Sequence, residues 1–132
     1  VVCLMTEWHK ENVKILRNKN SEKGGTMRLG AYHCDLKENT LIKKIYNMKS
    51  ISERHRHRYE VNKNYINDFE KFNFIFSGMS PDNLLPEIIE SSSLDWFIGV
   101  QFHPELKSRP QNPHPLFVSF INACIKSKNE KN

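Results

Sequence analysis

His103 and Glu105 stand two residues apart in Gln101-Phe102-His103-Pro104-Glu105. A histidine can take and return a proton near neutral pH, and a neighbouring carboxylate can fix its tautomer and offset the charge it gains. That is the base-and-orienter half of a nucleophilic triad. The apolar run Trp96-Phe97-Ile98-Gly99-Val100 just before it reads as a buried strand. Side chains two apart on extended backbone point the same way, and Pro104 restricts His103 to extended conformations. The plainer reading, a loop histidine beside a surface glutamate, is about as well supported by these residues alone.

Two further stretches carry groups that bind or catalyse. In Glu53-Arg54-His55-Arg56-His57-Arg58-Tyr59-Glu60 an extended backbone places Arg54, Arg56 and Arg58 on one face and His55 and His57 on the other. Three guanidiniums suit carboxylates or phosphates, whereas a solvated charge ladder on an edge strand would look the same. The two histidines could begin a metal site, but only His103 offers a third ligand, so no metal is expected. Gly24-Gly25-Thr26-Met27-Arg28-Leu29-Gly30 could form an anion-binding turn at Arg28, although it matches neither the P-loop nor the dinucleotide fingerprint.

The elements that must hold these groups are short. Val1–Glu7 and Asn12–Arg17 read as strands, and Met27–Leu36 as extended with a slip near Gly30. Leu41, Ile42, Ile45 and Tyr46 space as a short helix, as do Tyr65, Ile66, Phe69 and Phe72. Ile51–Val61, Phe74–Phe76, Glu87–Glu90 and Phe97–Phe102 read as strands. Pro115 suits the first turn of a closing helix with Leu116, Phe117, Phe120, Ile121 and Cys124 on its apolar face. Few clean crossovers occur, so an α/β domain with a partly antiparallel, mixed sheet is expected. Residues 1–125 form its body, and 126–132 read as a disordered tail.

The 132 residues suffice for one domain with a core, and no apolar run approaches the roughly 20 residues that span a bilayer. The net charge of +5 is too scattered to single out a polyanion, so neither nucleic acid nor membrane is expected as a partner. Three distant cysteines, Cys3, Cys34 and Cys124, argue against a disulfide framework and for buried structural thiols in a cytoplasmic protein. The opening Val1-Val2-Cys3-Leu4-Met5 reads as mid-strand, which suggests a piece of a longer protein.

Taken in order and spacing, GGTMRLG at Gly24–Gly30, ERHRHRYEVN at Glu53–Asn62, and QFHPE with Lys107-Ser108-Arg109-Pro110 resemble the C-terminal part of the glutamine amidotransferase domain of the CTP synthase family. VVCLMTEW at Val1–Trp8 and HPLFVSFINA at His114–Ala123 resemble it too. The resemblance implies a partial class I, flavodoxin-like amidotransferase fold and a Cys-His-Glu triad. In that triad His103 is the general base and Glu105 its orienting partner. It implies that Arg58 contacts glutamine, partly through backbone, and more weakly that Arg28 belongs to the site of the activating effector GTP. It implies ammonia from glutamine, used with ATP and Mg by a synthetase domain of the same protein to make CTP from UTP, in a homo-oligomer, a tetramer when full length. It implies no cofactor in this chain. The family's nucleophile sits on a Gly-x-Cys-x-Gly elbow upstream of Val1, and none of the three cysteines has that context. The chain by itself is therefore expected to be inactive, and a truncated, non-catalytic binding module is the alternative. Leu94-Asp95 stands where the family has His-Pro, and Leu106 where it has an aromatic. Cys3 merits attention, because its strand could run beside the one that carries His103.

Overall fold

The computed structural model describes residues 1–4, 7–10, 13–16 and 27–130, with side chains from 27 to 130 and at 1 and 2. The central element is a five-stranded sheet in the order β5-β4-β7-β8-β9. Its strands are β4 (Arg28–Leu36), β5 (Ser50–His57), β7 (Phe74–Met79), β8 (Pro86–Ser91) and β9 (Ile98–Val100). Two ribbons form separate ladders. One pairs β1 (Val2–Leu4) with β6 (Tyr59–Val61), the other β2 (Glu7–Lys10) with β3 (Val13–Leu16). Every ladder among the described strands is antiparallel. The helices are α1 (Leu41–Tyr46), α2 (Ile66–Glu70) and α3 (Pro115–Glu130). The expected Val1–Glu7 strand is thus divided between β1 and β2. The closing helix runs on to Glu130, through a stretch expected to fray from Lys126.

The core is small: Cys34, Leu36, Ile42, Ile51, Ile88, Phe102 and Leu116. α1 is set against it by Glu90 on β8, whose carboxylate accepts the backbone N–H groups of Leu41 (2.8 Å) and Ile42 (3.1 Å). Thr40 caps the same end, accepting from Lys43 N–H. At Gly78 β7 passes so close to β8 that a Cβ would sit 2.7 Å from Ile88 and from Cys34 Sγ.

The slip expected near Gly30 is absent. Gly30 takes φ +100°, yet β4 and β5 stay in step from Arg28↔His57 through Asp35↔Ser50. What changes is polarity. Leu29 points out at 64% exposure while Arg28 points in, because buried carboxylates await it there. Cys34 is buried as expected, but Cys124 is exposed, along with Phe117, Phe120 and Ile121. Only Leu116, at the start of α3, is buried among that helix's apolar residues. The side chain of Cys3 lies outside the described residues. Its backbone pairs opposite Glu60 on β6, not beside β9.

Candidate active site

His103 and Glu105 meet. His103 Nδ1 lies 2.7 Å from Glu105 Oε1, within strong hydrogen-bond range for a charge-assisted pair. The bond lowers the Glu105 carboxyl below its ordinary range. With Nδ1 so engaged, neutral His103 carries its proton there and leaves the Nε2 lone pair free to act as a base. The side chains are 38% and 58% exposed, open to an incoming nucleophile and substrate.

Their juxtaposition does not come from strand alternation. β9 ends at Val100 and is half-buried at the sheet edge, not the fully buried strand its composition suggests. His103 instead caps a 3₁₀ turn, Pro104–Leu106, with Pro104 at its first position. One tight turn of backbone folds Glu105 back beside His103. Three contacts hold the turn. Phe102 is buried in the core. His103 N–H donates to Arg54 C=O on β5 at 2.8 Å. Lys107, just past the turn, donates to Ser52 C=O at 2.7 Å.

Behind the dyad lies a buried ionic network. Arg28, 3% exposed, reaches Glu60 Oε1 at 3.2 Å and Glu87 Oε1 at 2.7 Å, and its guanidinium lies 4.5 Å from the Tyr32 ring centre. Gln101 joins it through Glu60 Oε2 at 3.4 Å. Burial pushes Glu60 up to about 7, against the pull of Arg28, and raises Glu87 as well. The two histidines bond to each other, His55 Nδ1 to His57 Nε2 at 2.8 Å. Burial and the Arg28 charge bring them down to about 3 and about 4, so both are neutral at physiological pH. Among the described residues no group of three His, Cys, Asp or Glu side chains could hold a metal.

The sequence-derived candidates therefore separate. His103 and Glu105 form one site. Arg58 lies half-buried at the bend between β5 and β6, near the end of the ladder whose Arg54 and Arg56 are exposed. Arg28 faces inward, its guanidinium against two carboxylates. Sequence reasoning missed Glu53, Glu60 and Glu87, all buried carboxylates. For two of them the signal was position: Glu53 lies on the same strand face as His55 and His57, and Glu60 follows Arg58 by two. No described helix is long and apolar enough to cross a membrane.

Comparison with known proteins gives the family. A family model for class-I glutamine amidotransferases matches residues 4–123. A CTP synthase of Hyphomonas neptunium is 61% identical over 96% of the chain, and one of Pelagibacter ubique 58% identical over 99%. The chain spans only 23% and 24% of those proteins. The Trypanosoma brucei CTPS glutaminase domain with bound acivicin superposes with a TM-score of 0.75 at 37% identity, covering 83% of this chain and 43% of that one. The chain belongs to the class-I glutamine amidotransferase family, and the stretch it matches is the glutaminase part of CTP synthases.

Proposed function

We propose that this chain supplies the His-Glu half of a glutaminase site in a glutamine-hydrolysing CTP synthase. The observation that carries the reading is the 2.7 Å His103–Glu105 contact on an exposed, well-anchored turn. His103 Nε2 takes the proton of a cysteine thiol, and the thiolate attacks the glutamine carboxamide. The imidazolium, steadied by Glu105, protonates the departing ammonia. Water, deprotonated by the same Nε2, then releases glutamate from the thioester.

The thiol is contributed from outside these 132 residues. Cys34 is buried, and burial pushes its thiol well up, so it is a poor nucleophile. Cys124 is exposed on α3. On this reading the 132 residues alone lack glutaminase activity. Arg58 contributes to glutamine binding through backbone or side chain. Arg28 is the weaker effector candidate, and its buried pairing favours a packing role. ATP, Mg and UTP belong to the synthetase domain of the whole protein, which works as a cytoplasmic homo-oligomer, and ammonia passes to it from this site.

The test is paired assays on the full-length protein. His103→Ala should abolish glutamine-dependent CTP formation and leave ammonia-dependent formation intact. A variant that retains most glutamine turnover removes His103 from the role, and a wild-type protein with no turnover of glutamine would favour a binding module instead.

A further inference from the structure

Glu53 is 2% exposed, yet three elements reach one of its oxygens. Tyr46 at the end of α1 donates to Oε1 at 3.1 Å. His114, at the start of α3, lies 3.2 Å from the same atom through Nε2. Its Nδ1 accepts Leu116 N–H at 3.3 Å, so the proton sits on Nε2 and is donated to Glu53. Lys107 Nζ is the third, at 3.2 Å. Burial acts to raise the Glu53 carboxyl, but the His114 hydrogen bond and the Lys107 charge outweigh it and hold Glu53 ionised.

Lys107 is the one of these that touches the dyad's own turn. Its Nζ also donates to Ser52 C=O at 2.7 Å, while the turn's other end is fixed by His103 N–H to Arg54 C=O at 2.8 Å. Consecutive residues of β5, Ser52, Glu53 and Arg54, thus grip residues 103 and 107 on either side of Glu105. Backbone bonds close the turn from within, Leu106 N–H to His103 C=O and the N–H groups of Lys107 and Ser108 to Pro104 C=O, each at 3.1 Å. The attachments to β5 fix where that turn sits on the sheet.

We propose that Lys107, clamped by Glu53 and Ser52, is a positioning residue that holds the His103–Glu105 turn in its productive geometry. It acts on the turn and not on the substrate. The proposal rests on the glutaminase reading above. Lys107 is 43% exposed, so its loss should leave the fold standing and loosen only the turn. A misplacement of about 1 Å can cost roughly 100-fold in rate, and the Arg54 contact still holds one end, so a loss on the order of 10-fold is expected.

The experiment measures glutamate release from glutamine by the full-length protein. Lys107→Met should lower kcat on the order of 10-fold with KM within about twofold, and Lys107→Arg should recover most of the loss, because a guanidinium keeps both donors and charge. Glu53→Gln keeps an acceptor for Tyr46 and His114 but removes the charge. It should lower kcat in the same direction, and the double variant should be no slower than Lys107→Met alone, as for two parts of one clamp. Parent-like kcat in Lys107→Met, a rise in KM without loss of kcat, additive losses in the double variant, or equal rates for Met and Arg would each overturn the proposal. Failure of the underlying reading is separate: it shows as turnover retained in His103→Ala, measured alongside.

Discussion

Replacing Arg28 by Met tests whether this arginine is a buried counter-ion or an effector contact. The substitution keeps most of the side chain's length and apolar stem but deletes the cation that faces Glu60 at 3.2 Å and Glu87 at 2.7 Å. Breaking a buried pair by removing one partner typically costs about 3–5 kcal/mol, because the charge left behind is neither hydrated nor compensated. Glu60 gives an independent scale. Even with Arg28 present, burial raises it from 4.5 to about 7, a difference worth about 3 kcal/mol between folded and unfolded chains once the group is ionised. A raised carboxyl stabilises the fold fully below its unfolded value, and that contribution is lost as pH climbs through about 7. Without Arg28 the loss grows, since its charge and hydrogen bond no longer favour the ionised form. The assay is amide hydrogen exchange in the full-length protein, read at β4 and β5. Arg28→Met should reduce protection there by about 3–5 kcal/mol at pH 8 and by less at pH 5.5, where Glu60 can hold a proton. Unchanged protection at pH 8, with loss of GTP activation, would refute the ion-network reasoning and restore the effector expectation.

Two other outcomes follow from the same geometry. Arg58→Ala should lower glutamine kcat/KM by roughly 10- to 100-fold if its side chain makes a charge-assisted contact worth about 1.5–3 kcal/mol. Lys71→Ala, exposed and paired with Asp68, should change nothing, and equal effects at both positions would favour the solvated ladder. His55 and His57, with folded values of about 3 and about 4, should still be neutral by NMR at pH 5.5. Depressed histidines lend stability that is complete above 6.5 and lost as pH falls toward those values, so His57→Gln should blunt acid unfolding. Protonation of either ring above pH 6 would contradict the burial described here.

The dyad was legible because a histidine and a carboxylate two apart make a local signal, and the flanking motifs give a family resemblance. The way they meet was not. Strand alternation and a 3₁₀ turn both bring residues 103 and 105 together, and only the end of β9 at Val100 decides between them. The His55/His57 and Arg54/Arg56 faces followed from the period of two. The burial of Arg28 did not, because it depends on carboxylates 32 and 59 residues away in the chain, at Glu60 and Glu87. Hydrophobic pattern alone read a slip at Gly30 where the register is continuous. The apolar stripe of α3 was recognised, but periodicity says which residues share a face, not how much of that face is covered. Cys124 was for that reason expected to be buried and is exposed.

The central claim, that His103 serves a cysteine from outside these residues, is tested most directly by labelling. The full-length protein is treated with a glutamine-mimicking electrophile, digested and mapped. Stoichiometric modification should fall on one cysteine that is not Cys3, Cys34 or Cys124, and should vanish in His103→Ala. Selective, His103-dependent labelling of any of those three would contradict the account.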